Sequence, residues 1–239
     1  MKTLLEIVTD VCDEIGLDQP ATVIDNTTDP NVRKLLRFAQ KSGEMIASRH
    51  NWQALVDLHT WTSIAAEVQT DAPPDQPDFD RLIYNADLWD RGNSRRWTGP
   101  LSSSSWQRLR NSVTTGNVAG YWRLVGNAIR MYPAPEAGLT LDMPYISNKW
   151  AASSGGTAQA SFLADTDVPR IPDKLLILDM VWRWKHSIGL DYAEDMSDFE
   201  RELERATSRD GGTHAMMTGR TGGADVPTYP NVDLTAETS

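Results

Sequence analysis

The side chains that could carry catalysis or hold a metal are scattered through this sequence. The histidines His50, His59, His186 and His214 fall in different predicted elements, and none forms a metal-ligand pattern. The sequence also lacks the His-Glu-x-x-His, phosphate-loop, dinucleotide-binding glycine and Gly-x-Ser-x-Gly patterns. We therefore predict no cofactor, no metal site and no enzymatic activity.

Acidic residues form the one cluster that suggests chemistry. Three prolines at 73, 74 and 77 are surrounded by four aspartates, Asp71, Asp75, Asp78 and Asp80. The spacing lacks the glycine and terminal glutamate of a calcium-binding helix–loop–helix, so a rigid solvated loop is the main interpretation and a weak cation site the alternative. A glycoside hydrolase needs two carboxylates with one raised pKa in an apolar pocket. Glu44 and Asp57 are the pair considered, but no pattern selects them.

The charge of the chain argues against tight binding of nucleic acid. The net charge is −10, and the nearest approach to a basic patch is Arg91, Arg95 and Arg96. An acidic protein can still let DNA slide past without trapping it, because like charges repel. The single cysteine, Cys12, excludes a disulfide framework. Without a signal peptide or a long apolar run, we expect a soluble protein of a reducing compartment with no membrane association.

The stretch from Ile171 to Asp210 is predicted to form two helices joined by a corner at Gly189. The first is apolar on nearly every side and should pack on more than one face. The second places apolar residues at alternating spacings of four and three, which suits a helix–helix seam. Asp191 is predicted to cap it, with Glu194 as the capping-box partner.

The beginning of the chain predicts another pair of helices. Thr3 and Glu6 form a capping-box pattern, and Gly16 ends the first helix. Asp29 followed by a proline starts the second helix. Gly43 on its apolar face predicts the close approach of a neighbouring helix.

The middle of the chain has a different periodicity. Alternating residues at 58–64 and 139–146 predict strands, and 79–89 is a further β-rich stretch. Gly126-Asn127 predicts a hairpin turn between 120–125 and 128–132, and 102–111 predicts a short helix. Residues 151–166 are interpreted as a loop or flexible linker. After Asp210 a polar, glycine-rich tail follows, which either stays disordered or lies along a partner.

These elements predict an α+β protein: mainly an α-helical bundle of two N-terminal and two C-terminal helices, with a small inserted β-rich subdomain and an extended C-terminal tail. The predicted divisions are a helix pair at 1–50, the insert at 51–150, a linker loop at 151–170, a helix pair at 171–210 and an arm at 211–239.

Nine tryptophans indicate either a tryptophan-rich core or contact surfaces. Trp182 and Trp184 lie two positions apart and point to different sides of a helix, so one is expected inside the bundle and one near a subunit boundary. The predicted residues at contacts with other subunits or a partner are Trp182, Trp184, Phe199, Leu203, Met216, Met217, Tyr229 and Leu234.

An ordered series of weak motifs covers the chain from Met1 to Gly212. They are Leu4 to Gly16, Arg49 to Leu55, Phe79-Asp80-Arg81, Gly99-Pro100-Leu101 followed by Trp106, Ile129 to Pro135, Tyr145-Ile146-Ser147 and Leu178 to Glu194. In this order they resemble the head-to-tail adaptor proteins of tailed bacteriophages, the connector or tail accessory factor type.

The resemblance implies a structural virion protein of the neck, assembled in the host cytoplasm. It implies a ring of commonly twelve copies under the portal protein, with C-terminal segments on the portal and a tail or nozzle protein below. Double-stranded DNA would pass through without specific binding. The alternatives are a virion-associated peptidoglycan hydrolase and a head-closure or tail-completion protein.

Overall fold

The computed structural model describes residues 1–26, 28–83, 86–111 and 120–211. Within those ranges the helices are α1 (Leu4–Ile15), α2 (Pro30–Arg49), α3 (Ser103–Asn111), α4 (Asp173–Ser187) and α5 (Ala193–Asp210). The strands are β1 (Val56–Thr62), β2 (Phe79–Leu82), β3 (Leu88–Asp90), β4 (Arg95–Trp97), β5 (Tyr121–Val125), β6 (Ala128–Tyr132), β7 (Thr140–Ser147), β8 (Ala151–Ala152), β9 (Ala158–Gln159) and β10 (Val168–Pro169). The predicted α+β class is confirmed. No helix in these ranges has the length and apolar character needed to cross a membrane.

The predicted starts of the first two helices are confirmed. The Thr3 hydroxyl accepts a hydrogen bond from the Glu6 N–H, while the Glu6 carboxylate accepts one from the Thr3 N–H at 2.7 Å. This reciprocal pair satisfies two of the N–H groups that a helix leaves unpaired at its start. The Asp29 side chain caps α2 by accepting from the Asn31 N–H at 2.8 Å.

The corner between α4 and α5 is only partly as predicted. Gly189 has a φ of 76°, and the N–H groups of Gly189 and Leu190 donate to His186 and Lys185, which is a Schellman end. The capping box at Asp191 and Glu194 is wrong. The turn leads into a helix that begins only at Ala193, so the N-cap is Tyr192, which makes no side-chain cap, and Asp191 instead accepts from the Ala193 N–H.

Helix α4 is apolar on several sides because it has several neighbours. It contacts α1, α2 and α5, and the same cluster of buried side chains includes residues from all four helices. The buried residues of α4 are Leu175, Leu176, Asp179, Met180, Val181 and Trp184. We name this cluster the helical core; it also takes in Trp52, Leu55 and Ile146 from the middle of the chain.

Strand β7 is the centre of the largest sheet. It pairs with β1 along one edge and with both β2 and β3 along the other. The strand order is β1-β7-β3-β4, and β2 occupies a different part of the edge of β7 that β3 uses. Strand β2 pairs with residues 145–147 and β3 with residues 141–142. Pro144 lies in the gap between them. Because proline has no N–H to donate, the sheet can branch there without leaving a donor unpaired.

A second group of buried side chains lies under one face of this sheet. We name it the sheet core, and it consists of Trp61, Ala72, Ala86, Leu88, Trp97, Trp122, Ile129, Met131, Leu141 and Met143. The β5–β6 hairpin contributes Trp122, Ile129 and Met131. Its predicted turn is confirmed, with φ values of 58° at Gly126 and 61° at Asn127.

The segment predicted as a loop or flexible linker contains the three short strands β8, β9 and β10, which pair antiparallel. Hydrogen bonds with the N-terminal region fix it in place. Gln40 donates to the Phe162 carbonyl at 2.9 Å and accepts from the Phe162 N–H at 3.1 Å. Asp165 accepts from the N–H groups of Val23 and Ile24. The composition of the segment gave no sign of these long-range partners.

The prediction that a helix approaches Gly43 is wrong, because the neighbour is the Trp150 ring. A Cβ added at Gly43 would lie 2.3 Å from that ring. Trp150 is itself fixed edge-to-face against Phe162, with ring centroids 4.8 Å apart. The glycine is therefore required by an aromatic side chain from the end of the insert.

Gly43→Ala should lower the free energy of unfolding by about 1–3 kcal/mol, because the added Cβ would overlap the buried Trp150 ring. The gain in helix propensity, roughly 1 kcal/mol, offsets only part of that cost. Urea denaturation measures the change. Gly155→Ala is the control, since its added Cβ would meet nothing closer than the Ser153 hydroxyl at 3.8 Å. Equal stability of the two variants would contradict the packing argument.

Candidate interaction surfaces

The structure places the four predicted contact residues of the C-terminal helices at different depths. Trp184, Phe199 and Leu203 are 5%, 1% and 6% exposed and lie in the helical core. Trp182 is half-buried. A role for any of them at a subunit boundary stays a prediction. The other four, Met216, Met217, Tyr229 and Leu234, lie outside the described residues.

Trp182 is held by a buried ion pair that sequence reasoning missed. The fully buried Asp179 carboxylate accepts from Trp182 Nε1 at 2.8 Å and from Arg183 Nε at 2.6 Å. The Arg183 guanidinium also lies 4.5 Å from the centroid of the Trp182 ring. The available signal was an acidic residue within an apolar run, four positions before an arginine. This network fixes the orientation of the half-buried indole.

Next to this network the turn between α4 and α5 exposes apolar side chains. Ile188, Leu190 and Met196 are 50%, 55% and 40% exposed. Glu194 lies beside them and makes no ion pair with any residue that the structure describes. We name these four residues the α4–α5 corner. An exposed apolar patch with an acidic rim is typical of a protein contact surface.

A second exposed apolar surface lies on the branched sheet. Leu58 and Trp89 are 51% and 42% exposed. They border a cavity of about 730 Å³ that is lined by Leu58, Ile83, Ala86, Asp87, Trp89, Asp90, Arg91, Ser94, Asp142 and Pro144. We name it the sheet groove. The alternation at 58–64 predicted the strand, but it gave no indication that Leu58 would remain exposed.

The three arginines of the nearest basic patch have partners within the chain. Arg91 pairs with the buried Asp142, and Arg96 pairs with Asp87 at 2.8 Å. The Arg95 guanidinium lies 5.7 Å from the centroid of the Trp97 ring. Their charge is partly compensated, so they do not form a continuous cationic track of the kind that grips a phosphate backbone.

The acidic cluster at 71–80 is divided among separate partners. Asp80 pairs with Arg81, and Asp71 accepts from Gln76. In the described part of the chain, no group of three or more His, Cys, Asp or Glu side chains is arranged to hold a metal ion. Glu44 and Asp80 line one cleft of about 260 Å³, whereas Asp57 lies outside that cleft.

Asp78 is the centre of a buried polar network. Its carboxylate accepts from the Tyr145 hydroxyl at 2.9 Å and the Ser147 hydroxyl at 3.1 Å, and pairs with Lys149 at 3.1 Å. Burial alone would raise the pKa of the Asp78 carboxyl, but the bonds from Lys149, Tyr145 and Ser147 together lower it. Burial and the bond to Asp78 raise the pKa of Tyr145. This network links the loop at 71–80 to β7.

Comparison with known protein families identifies the family to which the chain belongs. It matches the SU10 adaptor protein family over residues 2–223. The chain belongs to the SU10 adaptor protein family. A search of the curated proteins gave no match. The resemblance seen in the order of motifs is thereby confirmed.

Family membership indicates the general role of the adaptor. It indicates a bacteriophage structural protein, a component of the virion that associates with other head and tail proteins. The two exposed apolar surfaces, the α4–α5 corner and the sheet groove, are the candidate contact sites for such association. They share no residue.

Asp179→Ala in the adaptor should cost about 3–5 kcal/mol of unfolding free energy, because it leaves the Arg183 charge buried without its carboxylate. Chemical denaturation followed by fluorescence measures it. Asp198→Ala is the matched control: it also removes an aspartate from an intrahelical arginine pair, but the pair is exposed. That control should change stability by less than about 1 kcal/mol. A similar effect of both variants would show that the buried pair does not stabilise α4.

Asp78→Asn should change the response of stability to acid. Because folding lowers the pKa of Asp78, its ionised form stabilises the native state above the ordinary aspartate pKa of about 3.9. That contribution is lost as the pH falls below about 4 toward the folded pKa. The stability gap between wild type and Asp78→Asn should therefore narrow on acidification. Urea titrations at pH 7, 4 and 3 measure it. A constant gap for Asp78→Asn would contradict this explanation.

Proposed function

We propose that the adaptor forms a ring below the portal protein in the neck of the virion. In this role it joins the DNA-filled head to the tail, contacts a tail or nozzle protein on its other side, and lines the channel through which DNA leaves. Assembly takes place in the host cytoplasm. The observation that carries this proposal is the family match over residues 2–223.

Two separate exposed surfaces on one chain support ring formation. A contact between the α4–α5 corner of one copy and a different surface of the next would be heterologous. Such contacts close into a ring when a whole number of equal rotations makes one full turn. We propose twelve copies, following the resemblance. Trp182, beside the corner, is then the tryptophan nearer the boundary, and Trp184 is the one inside the helical unit.

The charge of the chain supports the passage of DNA without specific binding. The net charge is −10, and Arg91 and Arg96 pair with carboxylates of the same chain. A channel of like charge disfavours adhesion of the phosphate backbone. We propose a structural and not an enzymatic role.

We further propose that α1, α2, α4 and α5 act as one bundle, and that the arm at 211–239 binds the portal or an adjacent subunit. The domain divisions given above remain part of this proposal. The four helices supply side chains to one helical core, which supports treating them as a unit. The arm has too little apolar content to fold alone but carries spaced apolar anchors.

Deleting residues 212–239 should abolish or strongly reduce co-sedimentation of the adaptor with purified portal rings. The fold should survive, because both cores lie within residues 1–211. Circular dichroism and thermal unfolding check this. Two double variants of the full-length chain give a matched comparison of co-sedimentation. Tyr229→Ala with Leu234→Ala removes two apolar anchors and should reduce binding, whereas Thr218→Ala with Thr221→Ala removes none and should not. Undiminished binding of the deletion variant to portal rings would refute the role of the arm.

A further inference from the structure

The sheet groove exposes apolar side chains on a face that is buried elsewhere. Leu58 lies directly opposite Pro144 across the β1–β7 pair, and Trp89 lies opposite Asp142 across the β3–β7 pair. Residues opposite one another share a sheet face, so Leu58, Pro144 and Trp89 lie on the same side. Ile146, two positions beyond Pro144, also belongs to this side and is buried in the helical core. The groove is therefore an uncovered continuation of a face that the helical core covers at Ile146.

The shape of the groove follows from the branch in the sheet. Between the residues of β7 that pair with β2 and those that pair with β3, Pro144 forms part of the floor. The cavity of about 730 Å³ is within the range of sites that enclose a small ligand or a few residues of peptide. A single exposed indole, that of Trp89, lies along it.

The chain leaves the described structure close to this groove. The carboxylate of Asp210, the last residue of α5, accepts from the Gln53 N–H at 2.8 Å and lies 3.2 Å from His50 Nε2. Gln53 precedes Leu58 by five residues, a distance of at most about 17 Å. The 28 residues from 212 to 239 can extend to about 90 Å, so their middle reaches the groove easily.

One segment of that arm has the chemistry that the groove fits. Pro227-Thr228-Tyr229-Pro230 has two prolines three positions apart, the spacing that favours a polyproline II conformation and docking into aromatic-lined grooves. Asp225 and Asp233 flank it. Arg91 lines the groove with a 61% exposed side chain, and the lining also includes Asp87, Asp90 and Asp142. Arg96, opposite Trp89 in the sheet, is 42% exposed and pairs with Asp87. Because each of these guanidinium groups pairs with a carboxylate of the same chain, the groove suits the segment through its proline pair and not through charge.

We propose that the sheet groove binds residues 225–234 of the same chain, with the proline pair against Trp89. The short tether gives the segment a high effective concentration at its own groove, of millimolar order, which favours this intramolecular occupant. The inference concerns the free adaptor and does not depend on ring formation. It assigns the arm a resting site from which the portal or a neighbouring subunit must displace it.

The test is a competition in the full-length protein at a dilution where it is monomeric. A labelled peptide of residues 224–235 is titrated onto wild type and onto Pro227→Ala with Pro230→Ala, and anisotropy reports binding. The proline variant releases its own arm, so the peptide should bind it about tenfold more tightly than it binds wild type. Adding Trp89→Ala to the proline variant should abolish binding. Adding Leu163→Ala, which truncates a 64% exposed leucine outside the groove, should not.

Equal affinity for wild type and the proline variant would overturn the proposal, because the arm would then not occupy the groove. Binding that persists with Trp89→Ala, or no binding at all, would overturn it as well. Circular dichroism checks that the Trp89→Ala variants are folded. Co-sedimentation of these variants with portal rings is measured separately, so failure of the intramolecular contact is distinguishable from failure of the adaptor role.

Discussion

The whole structure depends on β7 being buried in two cores at once. Leu141 and Met143 face the sheet core together with Trp61 of β1, while Ile146 faces the helical core. Because side chains alternate along a strand, a shift of one residue in the β1–β7 register would exchange these faces and expose both sets. The register that positions the insert relative to the helices is therefore set by hydrophobic burial at both ends of one strand pair.

Two partly buried arginines reinforce the same junction. Arg81 of β2 donates from Nη2 to the carbonyls of Ala47 and His50 at 3.0 and 2.8 Å, which caps the C-terminal end of α2. Arg170 donates to the Lys149 and Ala54 carbonyls, joining β10 to both ends of the insert. Charge-assisted bonds to fixed carbonyls define direction more strictly than apolar contacts do. The insert is thus held at one orientation against the helical unit.

Features set by neighbouring residues were predictable, and those set by distant partners were not. The Thr3 capping box, the glycine end of α4 and the Gly126-Asn127 turn each depend on a few adjacent residues. Gly43 was recognised as a close-packing position, but its partner Trp150 lies 107 residues away. The sheet groove exists because β2 and β3 diverge at Pro144, and no periodicity within a single strand reports which two strands share a third.

Exposed apolar side chains at two separate places are informative because they leave surface that a further contact would stabilise. Leu58, Trp89 and Leu190 each leave apolar area in water that burial would stabilise at about 25 cal/mol per Å². In the proposed ring each copy repeats the same contacts, so a patch too small to hold one pair of proteins gains avidity from repetition. The same reasoning explains why the groove suits a tethered arm, since a weak site is occupied when its ligand cannot diffuse away.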